Sequence, residues 1–246
     1  MVLLVSDFEN PVRSSPSLTL QASRHIKKLR RLARRKGIDL WCEDECHFQQ
    51  HGSRCAMWVP PEETDPVLLH APTRRQAAVF GAVCPADGRL LAMSCDTFNA
   101  QTFQVFLAKL LRRRRRGCKM VVIVDNARWH HAKAISPWLY QHRHVLRLDF
   151  LPPYSPDLNP VERVWKLTRR LCTHNRYFKT LQDLTEVVQE QFTKWFQPNL
   201  TIAPIMRNYL RRHVENHETH ENFGLFFVLL YEGSLSGFRV FRVFRG

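Results

Sequence analysis

The sequence is short of negative charge. Its 22 Asp and Glu stand against 37 Lys and Arg, a net charge of +15 with histidines neutral. Such an excess calls for a polyanionic partner, because each phosphate neutralised releases condensed counterions. The chain also lacks any apolar run approaching the roughly 18 residues of a spanning helix, so nucleic acid is a better partner than a membrane. The opening stretch MVLLVSDFENP has no basic n-region and does not read as a signal peptide. No C-x-x-C pair occurs. The seven cysteines (Cys42, Cys46, Cys55, Cys84, Cys95, Cys118 and Cys172) are odd in number and scattered, which argues for free thiols in a reducing cytosol and against a disulfide framework. There is no internal repeat. What is present is enough for a core, with hydrophobic residues at 44%.

Residues 6–23, rich in Ser and Pro, read as a linker. Residues 24–36 (RHIKKLRRLARRK) set Ile26, Leu29, Leu32 and Ala33 at helical spacing on a basic background, and Gly37 stops that helix. From Ile38 to Phe48 the period becomes two, as in a strand. Ile38, Leu40, Cys42, Asp44, Cys46 and Phe48 then share one face, and Glu43 and Glu45 take the other. Residues 76–84 and 89–95 form a hairpin about Pro85–Gly88. A helix is expected from Asn99 through about Arg116, then a doubly buried strand at Met120–Val124 ending on Asp125. A short helix over 131–141, a strand at Val145–Phe150, and helices at 160–172 and 181–196 complete the order. In the last of these, Leu181, Leu184, Val188, Phe192, Trp195 and Phe196 face inward. The pattern is that of an α/β fold, a mixed sheet with helices on its faces, compatible with a ribonuclease H-like arrangement.

Three acids carry the chemistry. Asp44 sits inside a strand, where both β-propensity and burial disfavour a carboxylate. Asp125 ends the most apolar strand, and ligand sites lie beyond the carboxyl ends of such strands. Two acids held together in a sheet repel unless a cation separates them, and a divalent ion with oxygen ligands does so. The alternatives are a surface Asp44 and a turn-forming Asp125 beside Asn126. The segment LPPYSPDLNPVERVW (151–165) is stiffened by four prolines, with Asn159 as N-cap and Pro160 as first helical residue. Glu162 then falls in the first turn, either as half of a capping box or as a metal ligand opposite Asp125.

IVDNARWHHA (123–132) and LPPYSPDLNPVERVW resemble the DDE-superfamily endonuclease domain of insertion-sequence transposases, in the six-thirty branch related to the mariner elements. WCEDECHF (41–48) is similar to that family's first acidic motif. The resemblance covers about residues 38–200 and assigns Asp44, Asp125 and Glu162 as catalytic acids and metal ligands, with 37 positions between the last two. It implies a ribonuclease H-like fold with helices on both faces and two Mg2+ (or Mn2+) ions serving in-line displacement at phosphorus. It further implies a double-stranded DNA partner, a homodimer on DNA, no membrane, and a cytoplasmic, nucleoid-associated location. Asn126 and His130 flank the site as supporting or phosphate-contacting groups; for His130 an interior hydrogen-bonded histidine is an equal alternative.

The run Arg112, Arg113, Arg114, Arg115 and Arg116 reads as a phosphate-contacting patch rather than a solvated helix end, and Arg163, Lys166, Arg169 and Arg170 as groups positioning the scissile strand. Zinc at Cys42, Cys46 and His47 is disfavoured, because a strand sends Cys46 and His47 to opposite faces. Only 43 residues precede Asp44, fewer than the family's helix-turn-helix region occupies. The expected organisation is therefore a linker and basic helix at 1–37, the catalytic domain at 38–200, and a helix plus hydrophobic tail at 201–246, as in a truncated copy. The expected activity is metal-dependent DNA cleavage and strand transfer. The competing readings are a silent DNA-binding remnant and a nuclease without strand transfer.

Overall fold

The computed structural model describes residues 16–55, 57–59, 69, 73–153, 158–212 and 239–241. Five strands, β1 (Ile38–Gln49), β3 (Gln76–Val83), β4 (Leu90–Cys95), β5 (Lys119–Val124) and β6 (Leu146–Phe150), form one sheet in the order β4-β3-β1-β5-β6. β3 and β4 run antiparallel to their neighbours, while β5 and β6 run parallel with β1. The hairpin turns on Gly88, whose φ of 77° suits a residue without a side chain. A short pair, β2 (Met57–Val59) and β7 (Arg239–Phe241), forms a separate ladder.

Alternation along the central strands divides the core. Leu40, Cys42, Cys46, Phe48, Val79, Val121 and Ile123 face one layer of helices: α1 (Pro16–Arg34), α4 (Val161–Cys172), α5 (Leu181–Lys194) and α6 (Ile202–Arg212). Trp41, Phe80, Met120, Val122 and Val124 face α2 (Ala100–Leu111) and the region of α3 (Ser136–Gln141). The four large side chains that α2 buries, Phe103, Phe106, Leu107 and Leu110, each contribute about 1.5–3 kcal/mol of burial free energy. Helices thus cover both faces, and the fold is ribonuclease H-like as expected.

Four local expectations change. Residues 16–23 belong to α1 and are not linker. α2 stops at Leu111, so the arginine run follows the helix instead of ending it. Phe196 lies beyond α5, is 37% exposed and has the Arg113 guanidinium over its ring. The core also extends past 38–200 at both ends, because Ile26, Leu29 and Leu32 of α1 and Ile202, Met206 and Tyr209 of α6 join the same cluster. Among the described residues no helix is long and apolar enough to cross a membrane. Most of the tail 223–246 lies outside the described residues.

A chain ended after Asn222 loses β7 but no strand of the five-stranded sheet. It is expected to keep cooperative urea unfolding with an unchanged midpoint, and to be more soluble without the aromatic tail. Loss of the cooperative transition would place the tail in the core.

Candidate active site

The acids meet because two parallel strands end together. The β1–β5 register pairs Cys42 with Ile123; two residues further on, Asp44 and Asp125 stand at one level. One oxygen each of Asp44, Glu45 and Asp125 lie within 4.8 Å of one another. Asp44 and Glu45 are successive strand residues, so Asp44 belongs to the α4 face and Glu45 to the α2 face. Asp125, just past β5, joins the two.

On the α4 face, the Trp165 indole N–H donates to Asp44 Oδ2 at 3.0 Å. Burial, with the charges of Glu45 and Glu162 behind it, pushes the Asp44 carboxyl up to about 7 against the opposing indole bond. Glu162 lies in the first turn of α4, near enough to act on Asp44, but outside both three-ligand groups of the described residues. Asn159 Oδ1 accepts from the Val161 N–H at 3.3 Å, as an N-cap does, but among the described residues no bond returns from the Glu162 carboxylate to the Asn159 N–H, so the capping-box reading of Glu162 does not hold. Lys166 Nζ stands 4.0 Å from Glu162 Oε2.

On the α2 face, Glu43 and His130 are buried with side-chain exposure of 0% each. His130 Nδ1 is 3.0 Å from Asp125 Oδ1, and Nε2 is 3.1 Å from Glu45 Oε1 and 3.6 Å from Glu43 Oε2. Burial opposes charge on this imidazole, but the bonds from Asp125 and Glu45 and the charges of Glu43 and Glu45 outweigh it and push it up to about 10. His130 is therefore the cation among these acids. The same hydrogen bond holds Asp125 below the usual carboxylate range, assisted by the Ala127 N–H at 2.8 Å. Burial drives Glu43 far upward, and neither of its oxygens has a hydrogen-bond partner. The Trp129 indole donates to Glu45 Oε1 at 2.6 Å.

Two asparagines hold the walls. Asn126 Nδ2 donates to Leu151 O at 2.7 Å, fixing where the chain leaves β6. Asn159 Nδ2 donates to Glu43 O at 2.7 Å and fastens the start of α4 to β1 at the level of the acids.

The basic residues divide. Lys166 and Arg170 are exposed on α4, Arg163 lies over the Tyr209 ring, and Arg169 turns inward, 2.9 Å from Cys46 Sγ. The arginine run lies at the opposite end of the sheet, before β5 begins, roughly 20 Å of strand from the acids. Arg115 binds the buried Asp39 at 3.0 Å, Arg113 donates to Phe196 O at 2.8 Å, and Arg114 to Cys118 O. Arg112 and Arg116 are exposed. Cys46 is buried and His47 exposed, and among the described residues no cysteine joins a three-ligand group.

Sequence reasoning left Glu43, Glu45, Trp129 and Trp165 without roles. The available signal was three successive acids, Glu43–Asp44–Glu45, in a strand apolar on both sides of them.

The fold has close counterparts among solved structures. A mariner paired-end complex of Mos1 with Mn superposes with a TM-score of 0.60 at 16% identity, covering 87% of this chain and 65% of that one. The catalytic domain of Mos1 mariner transposase gives 0.55 at 17% identity, covering 83% and 94%. In sequence, the chain is 40% identical over 111 residues to an uncharacterized Sinorhizobium fredii protein, covering 44% of this chain and 76% of the relative. It is 27% identical over 109 residues to the uncharacterized 39 kDa protein of insertion element IS630 from Shigella sonnei, covering 44% of this chain and 32% of that protein. It is 37% identical over 78 residues to the Tcb2 transposable-element transposase of Caenorhabditis briggsae, covering 29% of this chain and 28% of the transposase. The chain thus spans about a third of these last two proteins. The profile of the DDE superfamily endonuclease family matches residues 39–185, more than half of the chain, and the chain belongs to that family.

Proposed function

We propose that this chain is the catalytic domain of a DNA transposase, cutting and rejoining strands at a site built from Asp44, Asp125 and Glu162. The supporting observation is the gathering of Asp44, Glu45 and Asp125 oxygens within 4.8 Å at the ends of adjacent parallel strands. Three hard oxygen donors this close suit Mg2+ or Mn2+ and repel one another without it. When bound, two such ions would supply Lewis acidity and charge neutralisation for in-line displacement at a phosphate.

The protein's own groups prepare that site. Asp44 and Asp125 hold the cations between the two faces, and Glu162 closes the site from α4. His130 and Asn126 act from behind, one orienting the Asp125 carboxylate and the other the loop toward α4. Double-stranded DNA runs along the exposed basic side of α4, with Lys166 and Arg170 on phosphates and Arg163 and Arg169 shaping that side. Arg112–Arg116 lie far enough away to meet only a more distant stretch, through exposed Arg112 and Arg116. Two copies acting on one DNA complete the proposed assembly, working at the nucleoid.

Labelled transposon-end and random duplexes incubated with the protein and Mn2+ test this reading. Nicked and joined products are expected. Nicks without joining would indicate a nuclease, and binding alone a silent remnant.

A pH dependence follows from Asp44. Its folded-state pKa, about 7, is raised above the unfolded value. Its contribution to stability is therefore present below about pH 4 and lost as pH rises through 7. A cation that holds the ionised form reverses that loss. Mn2+ affinity is expected to fall about tenfold per unit below pH 7. The rise in Tm on adding Mn2+ should be larger at pH 8 than at pH 6. Equal rises at both would show that Asp44 is not a ligand.

A further inference from the structure

Gly81 of β3 stands opposite Asp44 in the antiparallel β1–β3 pair. A methyl group on Gly81 would lie 2.1 Å from Cη2 and 2.7 Å from Cζ2 of the Trp165 indole. Neither distance is tolerable between carbons, so the indole fills the space that any other residue at 81 would claim. Trp165 is 1% exposed, and its ring meets Phe48 and Phe192 edge-on at 6.1 and 6.2 Å. Sheet backbone on one side and two rings on the others leave the indole one plane and one direction for its N–H. That N–H meets Asp44 Oδ2 at 3.0 Å.

We propose that Gly81 and Trp165 form a positioning device that fixes the rotamer of Asp44, so that its second oxygen is held ready before a cation arrives. The inference rests on Asp44 being a metal ligand, as argued above. Trp165 follows Glu162 by three positions on α4 and lies on nearly the same helical face. One rigid helix thereby carries one acid of the site and orients another. Outer groups that orient ligands are worth about 10- to 100-fold in metal affinity. A carboxylate free to rotate would instead have to be ordered on each binding event.

The test uses the full chain with Trp165→Phe, Gly81→Ala and the double variant, each titrated with Mn2+ by electron paramagnetic resonance. Trp165→Phe keeps an aromatic ring but removes the donor. Gly81→Ala keeps the donor but displaces the ring. Each single variant is expected to weaken Mn2+ binding about 10- to 100-fold, with DNA affinity unchanged. The double variant should be no weaker than Trp165→Phe, because with the indole gone the added methyl has nothing to displace. Additive losses, or unchanged Mn2+ affinity in folded single variants, would overturn the proposal. Should Trp165→Phe fail to fold, Gly81→Ala and the indole 15N–1H resonance of the metal-free protein still decide it. That resonance is expected to shift in Asp44→Asn and in Gly81→Ala, and its indifference to both would overturn the contact. Wild-type protein that binds no Mn2+ while the resonance shifts as expected would overturn the metal reading, and the ligand-positioning role with it, but not the contact.

Discussion

Asp44→Asn, Asp125→Asn and Glu162→Gln are each expected to reduce strand cleavage by on the order of a thousandfold or more, since residues that act as a unit fail as a unit. DNA affinity should stay level or rise slightly, because each change removes a negative charge where phosphate must approach. Cleavage of labelled duplex with Mn2+, alongside fluorescence anisotropy without metal, reads both effects. Glu45→Gln belongs in the same series. Glu45, not Glu162, joins Asp44 and Asp125 in the close three-oxygen group. A full loss in Glu162→Gln with a partial one in Glu45→Gln would confirm Glu162 as the third acid. The reverse order would transfer that role to Glu45, and retained cleavage in any variant would remove its residue from the catalytic set.

His130→Ala is expected to destabilise the fold by about 3–5 kcal/mol, the usual consequence of leaving a buried charge without its partner. His130 Nε2 lies 3.1 Å from Glu45 Oε1, whose side chain is 10% exposed, so its loss leaves that carboxylate without its cation. Adding Glu45→Gln should recover part of the loss by removing the stranded carboxylate. Urea midpoints of the two singles and the double measure this, and a loss below about 1 kcal/mol would show that the imidazole is neutral there. The pH dependence has a definite sign. Because the folded pKa of His130, about 10, lies above its unfolded value, the imidazole's stabilisation is complete below about pH 6.5 and disappears as pH rises through 10. In His130→Ala that decline should vanish.

The parts of the molecule legible in sequence were those governed by local periodicity. Alternation from Ile38 to Phe48 gave the correct faces of β1, and the unbroken run before Asp125 marked a central strand. The stiff segment before Glu162 located the start of α4. Legibility ended where long-range contacts decide. Arg112–Arg116 looked like a continuation of α2, yet the helix ends at Leu111 and Arg115 reaches across to Asp39, 76 residues away in sequence. Residues 16–23 carry Ser and Pro and looked like linker, but they belong to a helix whose later turns are anchored against the sheet. Glu43 and Glu45 were placed on the right face without a purpose, because their partner His130 lies 85 or more positions away.

The order of strands in the sheet also has a consequence during synthesis. β1 is the central strand but the earliest made, and Asp125 follows Asp44 by 81 positions. At ribosomal rates of roughly 5–20 residues per second, β1 waits about 4–16 s before β5 can pair with it. Even after β3 has paired with one edge, an apolar strand waiting that long with its other edge open invites association with other nascent chains. Glu43, Asp44 and Glu45 interrupt it with three charges at its middle, which is how gatekeeper residues protect an unavoidable hydrophobic segment. Until β5 arrives these carboxylates are hydrated and cost nothing, and only on completion of the sheet do they become buried neighbours in need of cations. The same three residues thus protect the unfinished chain and form part of the candidate site in the finished one.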